Sequence, residues 1–157
     1  MMLNGEFNVS LDDKHRITLP AGLRTKLNAV FVVITKGSDK CIWLYRTSEW
    51  EEKIANVIND YTDPFSKKDL RLLRKYIASS HDIEIDKAGR ILLPETLREY
   101  ANISKDCVVL GAIDHIEIWD EKSYRDYCNE DDEHNAVEFD AASEELSRRI
   151  KRQRGIE

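Results

Sequence analysis

An aspartate followed by an arginine four residues later occurs twice in this chain, as Asp12 with Arg16 and as Asp86 with Arg90. The planar guanidinium of arginine suits two kinds of chemistry. It can close an ion pair with a carboxylate across a turn, which stabilises the turn modestly and needs no further role. It can also make paired hydrogen bonds to an acceptor pair such as guanine O6 and N7, worth about 1–3 kcal/mol of discrimination between bases. Lys14 and His15 make the first segment cationic and Lys87 does so for the second, so both could neutralise phosphates. Residue types and spacing alone leave both readings open.

Catalytic chemistry is harder to find. His15, His81, His115 and His134 show no metal-ligand spacing, and no Gly-rich phosphate cradle is present. Ser79-Ser80-His81-Asp82 contains the residue types of a hydrolytic triad, but neighbours in a strand point to opposite faces and cannot line up as nucleophile, base and orienter. Cys41, Cys107 and Cys128 are odd in number and widely separated, which argues against a disulfide framework or a zinc site. Cys41 and Cys107, among apolar neighbours, are expected to be reduced packing residues. The expectation is a chain that is not an enzyme, with no cofactor and no metal.

The elements that must position the two Asp–Arg pairs form an internal repeat. Leu11-Asp12-Asp13-Lys14-His15-Arg16-Ile17-Thr18-Leu19-Pro20 recurs 74 positions later as Ile85-Asp86-Lys87-Ala88-Gly89-Arg90-Ile91-Leu92-Leu93-Pro94, and the same offset matches Leu23 with Leu97, Arg24 with Arg98, Asn28 with Asn102, Gly37 with Gly111 and Ile42 with Ile116. Each copy reads as strand, tight turn, strand, short helix, two more strands and a helix. Gly89 can take a positive φ in its turn. His15 stands at the matching position, and if positive φ is required there, His incurs a steric cost that Gly does not. Pro20 and Pro94 end a strand and open helices at Ala21 to Asn28 and Glu95 to Asn102, with strand pairs to follow at 30–35 with 41–45 and at 107–112 with 116–119. Arg24 and Arg98, inside the short helices, read as structural or phosphate-facing.

Between the copies, Thr47 and Ser48 offer caps for a helix to about Ile58, with Trp50, Ile54, Val57 and Ile58 on one face. Ser66 with Asp69 resembles a capping box opening a second helix, striped by Leu70, Leu73 and Ile77. From Glu130 the chain turns acidic and loop-like through Asp131, Asp132 and Glu133, before a helix from about Ala136 to Arg152 with Ala142, Leu146 and Ile150 spaced by four and a basic end. That end reads as a solvated helix terminus suited to the helix dipole. Trp43, Trp50 and Trp119 read as core or interface anchors. The resulting division is repeat 1 at 5–50, bridging helices at 51–78, repeat 2 at 79–124, and an acidic segment with a terminal helix at 125–157.

Net charge bears on the partner. The chain carries 24 Lys+Arg against 30 Asp+Glu, a net of -6, whereas nucleic-acid binders are usually basic. Residues 1–113 hold 17 Lys+Arg against 16 Asp+Glu, so the acidic excess resides in residues 114–157, with 7 against 14. No stretch approaches the roughly 20 apolar residues of a membrane span, and Met1 to Glu6 show no leader pattern, so the expected location is the cytoplasm, with no membrane partner.

The two D-x-x-x-R-I-x-L-P motifs, each after an apolar strand and before a short helix, resemble those of the MraZ family of bacterial transcriptional regulators, over nearly the whole chain from Gly5 to about Cys128. The resemblance implies an α+β fold in which two AbrB-like units form a swapped-hairpin β-barrel as an intramolecular pseudo-dimer, with bridging and C-terminal helices. It further implies ring-shaped homo-oligomers, a place at the nucleoid, and binding to short direct repeats in double-stranded DNA upstream of the cell-division and cell-wall gene cluster. The DNA-contacting arginine of the family falls on Arg16 and Arg90, flanked by Lys14, His15 and Lys87. Asp12 and Asp86 match its acidic position, while Gly89, Pro20 and Pro94 shape the motif. The alternative is a protein-binding module of the AbrB-fold antitoxin type, whose acidic C-terminal segment would wrap a partner.

Overall fold

The computed structural model describes residues 1–129 and 132–155. They divide into two compact units, Met1–Lys122 and Ser123–Glu157. The first unit opens with strand β1 (Glu6–Ser10), a turn, strand β2 (Arg16–Thr18), helix α1 (Ala21–Leu27) and the hairpin β3 (Phe31–Lys36) and β4 (Ile42–Arg46). Helix α2 (Thr47–Trp50) winds through a wider π turn at Glu51–Ala55 into α3 (Asn56–Tyr61), and α4 (Lys67–Leu72) continues through a second π turn at Leu73–Ala78. The second copy then repeats the first as β5 (His81–Glu84), β6 (Arg90–Leu92), α5 (Glu95–Tyr100), β7 (Asp106–Ala112) and β8 (His115–Asp120).

The two copies exchange their first strands. β1 pairs with β7 of the second copy, Val9 facing Cys107, and β5 pairs with β3 of the first, Ile83 facing Val32. β4 and β8 join the halves in the middle, so the antiparallel sheet runs β1-β7-β8-β4-β3-β5, an order unchanged when the copies trade places. β2 and β6 form a separate antiparallel ribbon with Ile17 opposite Ile91. β1 and β5 stand at the two ends of the sheet and do not pair with each other, so the strand pairing is an open sheet with a ribbon rather than the closed barrel expected.

Strand alternation sends successive side chains to opposite faces. Val32, Ile34, Ile42 and Leu44, with Ile116 and Ile118, join one core that also takes Ile17 and Ile91 from the ribbon and Leu23 and Leu97 from the short helices. Val33, Trp43 and Tyr45 face the other way and meet Trp50, Ile54, Tyr76 and Ile77 of the bridging helices, with Trp43 stacked on Tyr76 at 5.4 Å. The buried Thr35 hydroxyl donates to the Tyr76 carbonyl at 2.6 Å, which ties the second bridging helix to β3.

Local chemistry explains the element ends, with some departures from expectation. Pro20 and Pro94 sit in extended backbone at the N-cap positions, so the short helices begin at Ala21 and Glu95 as expected, although they end at Leu27 and Tyr100, before Asn28 and Asn102. Asn28 and Asn102 both take positive φ, 45° and 56°, a conformation Asn tolerates better than most residues, which accounts for their match across the repeat. Ser66 caps α4 by accepting from the Asp69 N–H, but neither Thr47 nor Ser48 caps the first bridging helix, whose N-cap is Arg46 with no side-chain bond. Cys41 and Cys107 are buried, and burial pushes the Cys107 thiol up to about 12.

Helix α6 (Glu121–Asn129) follows β8, and α7 (Asp132–Gln153) forms most of the second unit. Asp132 and Glu133, expected in a loop, already belong to that helix, while Glu130 and Asp131 lie outside the described residues. No helix among the described residues is long and apolar enough to cross a membrane.

The ribbon's inner face predicts how the halves share stability. Ile17→Ala and Ile91→Ala should each lower the free energy of unfolding by about 2–5 kcal/mol, since both side chains are fully buried. In a urea titration the double variant should depart from the sum of the single effects by about 0.5–3 kcal/mol, because one residue lines the cavity left by the other. Strict additivity would contradict the shared packing.

Candidate nucleic-acid interface

Each motif turn is organised by one carboxylate. Asp12 Oδ1 accepts from the backbone N–H groups of Lys14 and Arg16, both at 2.9 Å, while Oδ2 accepts from Arg16 Nε at 2.8 Å. Asp86 does the same with Ala88 N at 2.9 Å, Arg90 N at 2.8 Å and Arg90 Nε at 2.8 Å. The backbone of Arg16 and then its side chain hold the Asp12 carboxyl below its ordinary pKa, against the opposing effect of desolvation, and Arg90 does likewise for Asp86. Both carboxylates are therefore ionised at neutral pH, which keeps all three acceptor bonds in place.

The ion pairs use one edge of each guanidinium. Nε faces the carboxylate, and the described hydrogen bonds leave the Nη1–Nη2 edge of Arg16 and of Arg90 disengaged. The side chains are about a quarter to two-fifths exposed, 26% for Arg16 and 38% for Arg90, so neither guanidinium is sealed in the interior. Pairing with aspartate thus orients each arginine without consuming its bidentate edge. The two readings left open by residue types are compatible in one geometry.

The ribbon puts the two arginines on one face. Arg16 lies opposite Leu92 and Thr18 opposite Arg90, and residues opposite one another in an antiparallel pair share a side. Ile17 and Ile91 point to the core, so Arg16, Thr18, Arg90 and Leu92 point outward, with Leu92 49% exposed. Arg16 and Arg90 are diagonal neighbours, which places their Cα atoms about 7–8 Å apart. Lys14, His15 and Lys87 are exposed in the turns at either end. Thr18 and Leu92 went unremarked in the sequence, although period-two counting from Arg16 and Arg90 would have found them.

Neither turn is built by its own copy alone. Leu19 N donates to the Gly89 carbonyl at 2.9 Å, and Leu93 N to the His15 carbonyl at 3.0 Å, so the strand end of each half secures the turn of the other. Both turn positions take positive φ, 61° at His15 and 80° at Gly89. What differs is the space beside them. Arg24 crosses to the second turn, donating from Nη1 to the Ala88 carbonyl at 3.0 Å, and a Cβ on Gly89 would lie 1.5 Å from that nitrogen. Its counterpart Arg98 instead donates from Nε to Leu93 O at 2.9 Å. Arg24 and Arg98 therefore both serve the scaffold.

The serines and histidine at 79–81 bond backbone carbonyls rather than one another's side chains: the Ser79 hydroxyl bonds the Lys75 carbonyl, Ser80 Oγ bonds Ile77 O at 2.6 Å, and His81 Nδ1 contacts Ser79 O at 3.0 Å. His115 is wedged against Tyr45, its ring nitrogens bonded to Asp114 at 2.8 Å and Glu117 at 3.4 Å. Among the described residues no three His, Cys, Asp or Glu side chains gather to hold a metal ion.

A family model described as "MraZ protein, putative antitoxin-like" matches the chain twice, over residues 2–74 and 77–149. The chain belongs to the MraZ family. A relative from Treponema denticola, a "Transcriptional regulator MraZ", is 38% identical over 144 residues, covering 92% of this chain and 96% of the relative. Each of the two matched stretches contains one Asp–Arg turn, so the repeat that the family model finds in this chain is also the one that builds the ribbon.

The asymmetry between the turns of this MraZ-family chain is testable. Gly89→Ala should cost about 2 kcal/mol in a urea titration, since it adds a left-handed penalty and displaces Arg24. His15→Gly should change stability by less than about 1 kcal/mol, because relief of strain is offset by the greater freedom of glycine in the unfolded chain. In an Arg24→Ala background Gly89→Ala should cost less than in the wild type, and an unchanged cost would remove the role assigned to Arg24.

Proposed function

We propose that this protein is a sequence-specific, DNA-binding transcriptional regulator of the cytoplasm and nucleoid, and that the β2–β6 ribbon is its reading element. One observation carries the proposal: Arg16 and Arg90 lie on a single outward face of a two-stranded ribbon, each steadied by an aspartate and each with its bidentate edge disengaged. A ribbon of this kind fits the major groove, where the Nη1–Nη2 edge of an arginine matches guanine O6 and N7. Lys14, His15 and Lys87 would meet the flanking phosphates. The exchange of β1 and β5 supports reading the two halves as a swapped-hairpin pseudo-dimer.

One ribbon reads few bases. The family resemblance supplies the remedy: rings of several chains, assembled through the repeat units, would engage short direct repeats upstream of the division and cell-wall gene cluster and turn weak contacts into avid binding. The antitoxin-like wording of the family description favours a second reading, a protein-binding module with an acidic tail. Two features weigh against it: two hairpin units share one chain, and α7 is a continuous helix with regular apolar spacing.

Genomic DNA from the source organism, selected on the protein, supplies the ligand for the test. In an electrophoretic titration at fixed salt, Arg16→Ala and Arg90→Ala should each weaken binding by about fivefold to more than a hundredfold, the equivalent of 1–3 kcal/mol per bidentate contact, while circular dichroism stays unchanged. Binding as tight as wild type in both single variants and the double variant would dispose of the arginine reading. Light scattering should give a mass several times that of one chain, and a monomer at every concentration would refute the ring.

A further inference from the structure

Helix α7 carries a row of apolar side chains turned to solvent. Phe139, Leu146 and Ile150 are 71%, 55% and 40% exposed, and Ala142 is exposed between them. At about 100° per residue these four fall within about a quarter of the helix circumference, over three turns. Single exposed apolar residues are ordinary, but an aligned row of this kind marks a contact surface.

The charges on the same helix are segregated. Residues 134–145 hold Glu138, Asp140, Glu144 and Glu145 with no Lys or Arg, and residues 146–154 hold Arg148, Arg149, Lys151, Arg152 and Arg154 with no acid. We propose that α7 pairs antiparallel with α7 of a second copy of this chain. Setting Phe139 opposite Ile150 of the second copy brings Ala142 beside Leu146, a small residue against a large one, and then repeats both contacts by symmetry. The same register places Glu138 near Arg149 and Arg152 on one flank, and Asp140 near Lys151 on the other. Glu145 is held within its own helix by Arg148 at 2.8 Å and Arg149 at 3.3 Å, so Glu138 and Asp140 carry most of the intermolecular charge pairing. A parallel pair would stack Phe139 on Phe139 and set acid against acid and base against base along its length.

Such a contact is two-fold and closes at two chains, unlike the head-to-tail contacts from which rings are built. It would therefore join chains across a boundary that ring formation does not use. The inference stands on α7 alone and does not require that the ribbon bind DNA.

The experiment uses the full chain with Cys128→Ser, which removes the exposed thiol and leaves Cys41 and Cys107 buried. Phe139→Cys and Ile150→Cys are introduced into separate samples, which are oxidised alone and as an equimolar mixture. A disulfide forms only where Cα atoms come within about 7 Å, so the bond reports the register. The mixture should yield a 139-to-150 linked dimer about tenfold or more above either sample alone, because pairing raises the effective thiol concentration towards the millimolar range. Adding Leu146→Glu to both chains should remove that excess while circular dichroism still reports the fold. Three results would overturn the proposal: equal dimer from Phe139→Cys alone, which is the parallel arrangement; no dimer above background in the mixture, as when another protein or the chain's own surface covers the stripe; or indifference to Leu146→Glu.

Discussion

A single carboxylate with three acceptor bonds sets the geometry of each half of this molecule. Asp12 and Asp86 each take two backbone N–H groups and one arginine Nε, and through them fix the turn, the start of the ribbon and the bearing of the guanidinium together. Exposed ion pairs contribute little to stability, so the consequence of this arrangement lies in orientation. A free arginine would sample many rotamers, and ordering it on contact costs about 0.5–1.5 kcal/mol. Here much of that ordering is complete before any ligand arrives.

The turns in turn depend on strand exchange. A unit with only β1, β2, α1, β3 and β4 would leave β1 unpaired, expose the inner face of β2 and lack the N–H that secures its turn carbonyl. The second copy supplies all three partners: β7 for β1, Ile91 against Ile17, and Leu93 N for the His15 carbonyl. Small units rarely bury enough apolar surface to stand alone, and duplication within one chain doubles the core without the entropic penalty of bringing two molecules together. The bridging helices cover the opposite face of the sheet at Trp43 and Tyr45, so the connection between copies is itself part of the packing.

Much of this was legible in the sequence because repeat identity and strand alternation are local signals. The offset of 74 located β2 and β6, the short helices, and both Asp–Arg pairs. Which strand pairs with which is a long-range property, and no local pattern distinguishes β1 pairing with β7 from closure into a barrel. Helix caps failed where a side chain had other geometry available: Thr47 and Ser48 are good capping types, yet the chain enters that helix straight from β4, where Arg46 already occupies the cap position. The reach of Arg24 to Ala88 was invisible for the same reason as strand pairing, since it joins residues 64 positions apart.

Net charge is the remaining tension, because a chain of net -6 is an unusual partner for a polyanion. What a phosphate experiences, however, is the charge within a Debye length, about 10 Å at 0.1 M salt, and not the total over the molecule. The ribbon and its turns carry Lys14, Arg16, Lys87 and Arg90, joined at the second turn by Arg24, and two of their acids, Asp12 and Asp86, are already bonded to the arginines and the turn backbone. Asp13 is the exposed acid of these turns with no such bond, and it sits in the first turn only, at the position that Lys87 fills in the second. The second turn is accordingly the more cationic of the two, and if the ribbon lies in a groove its two ends would meet the phosphates with unequal strength even though their arginines are equivalent by symmetry.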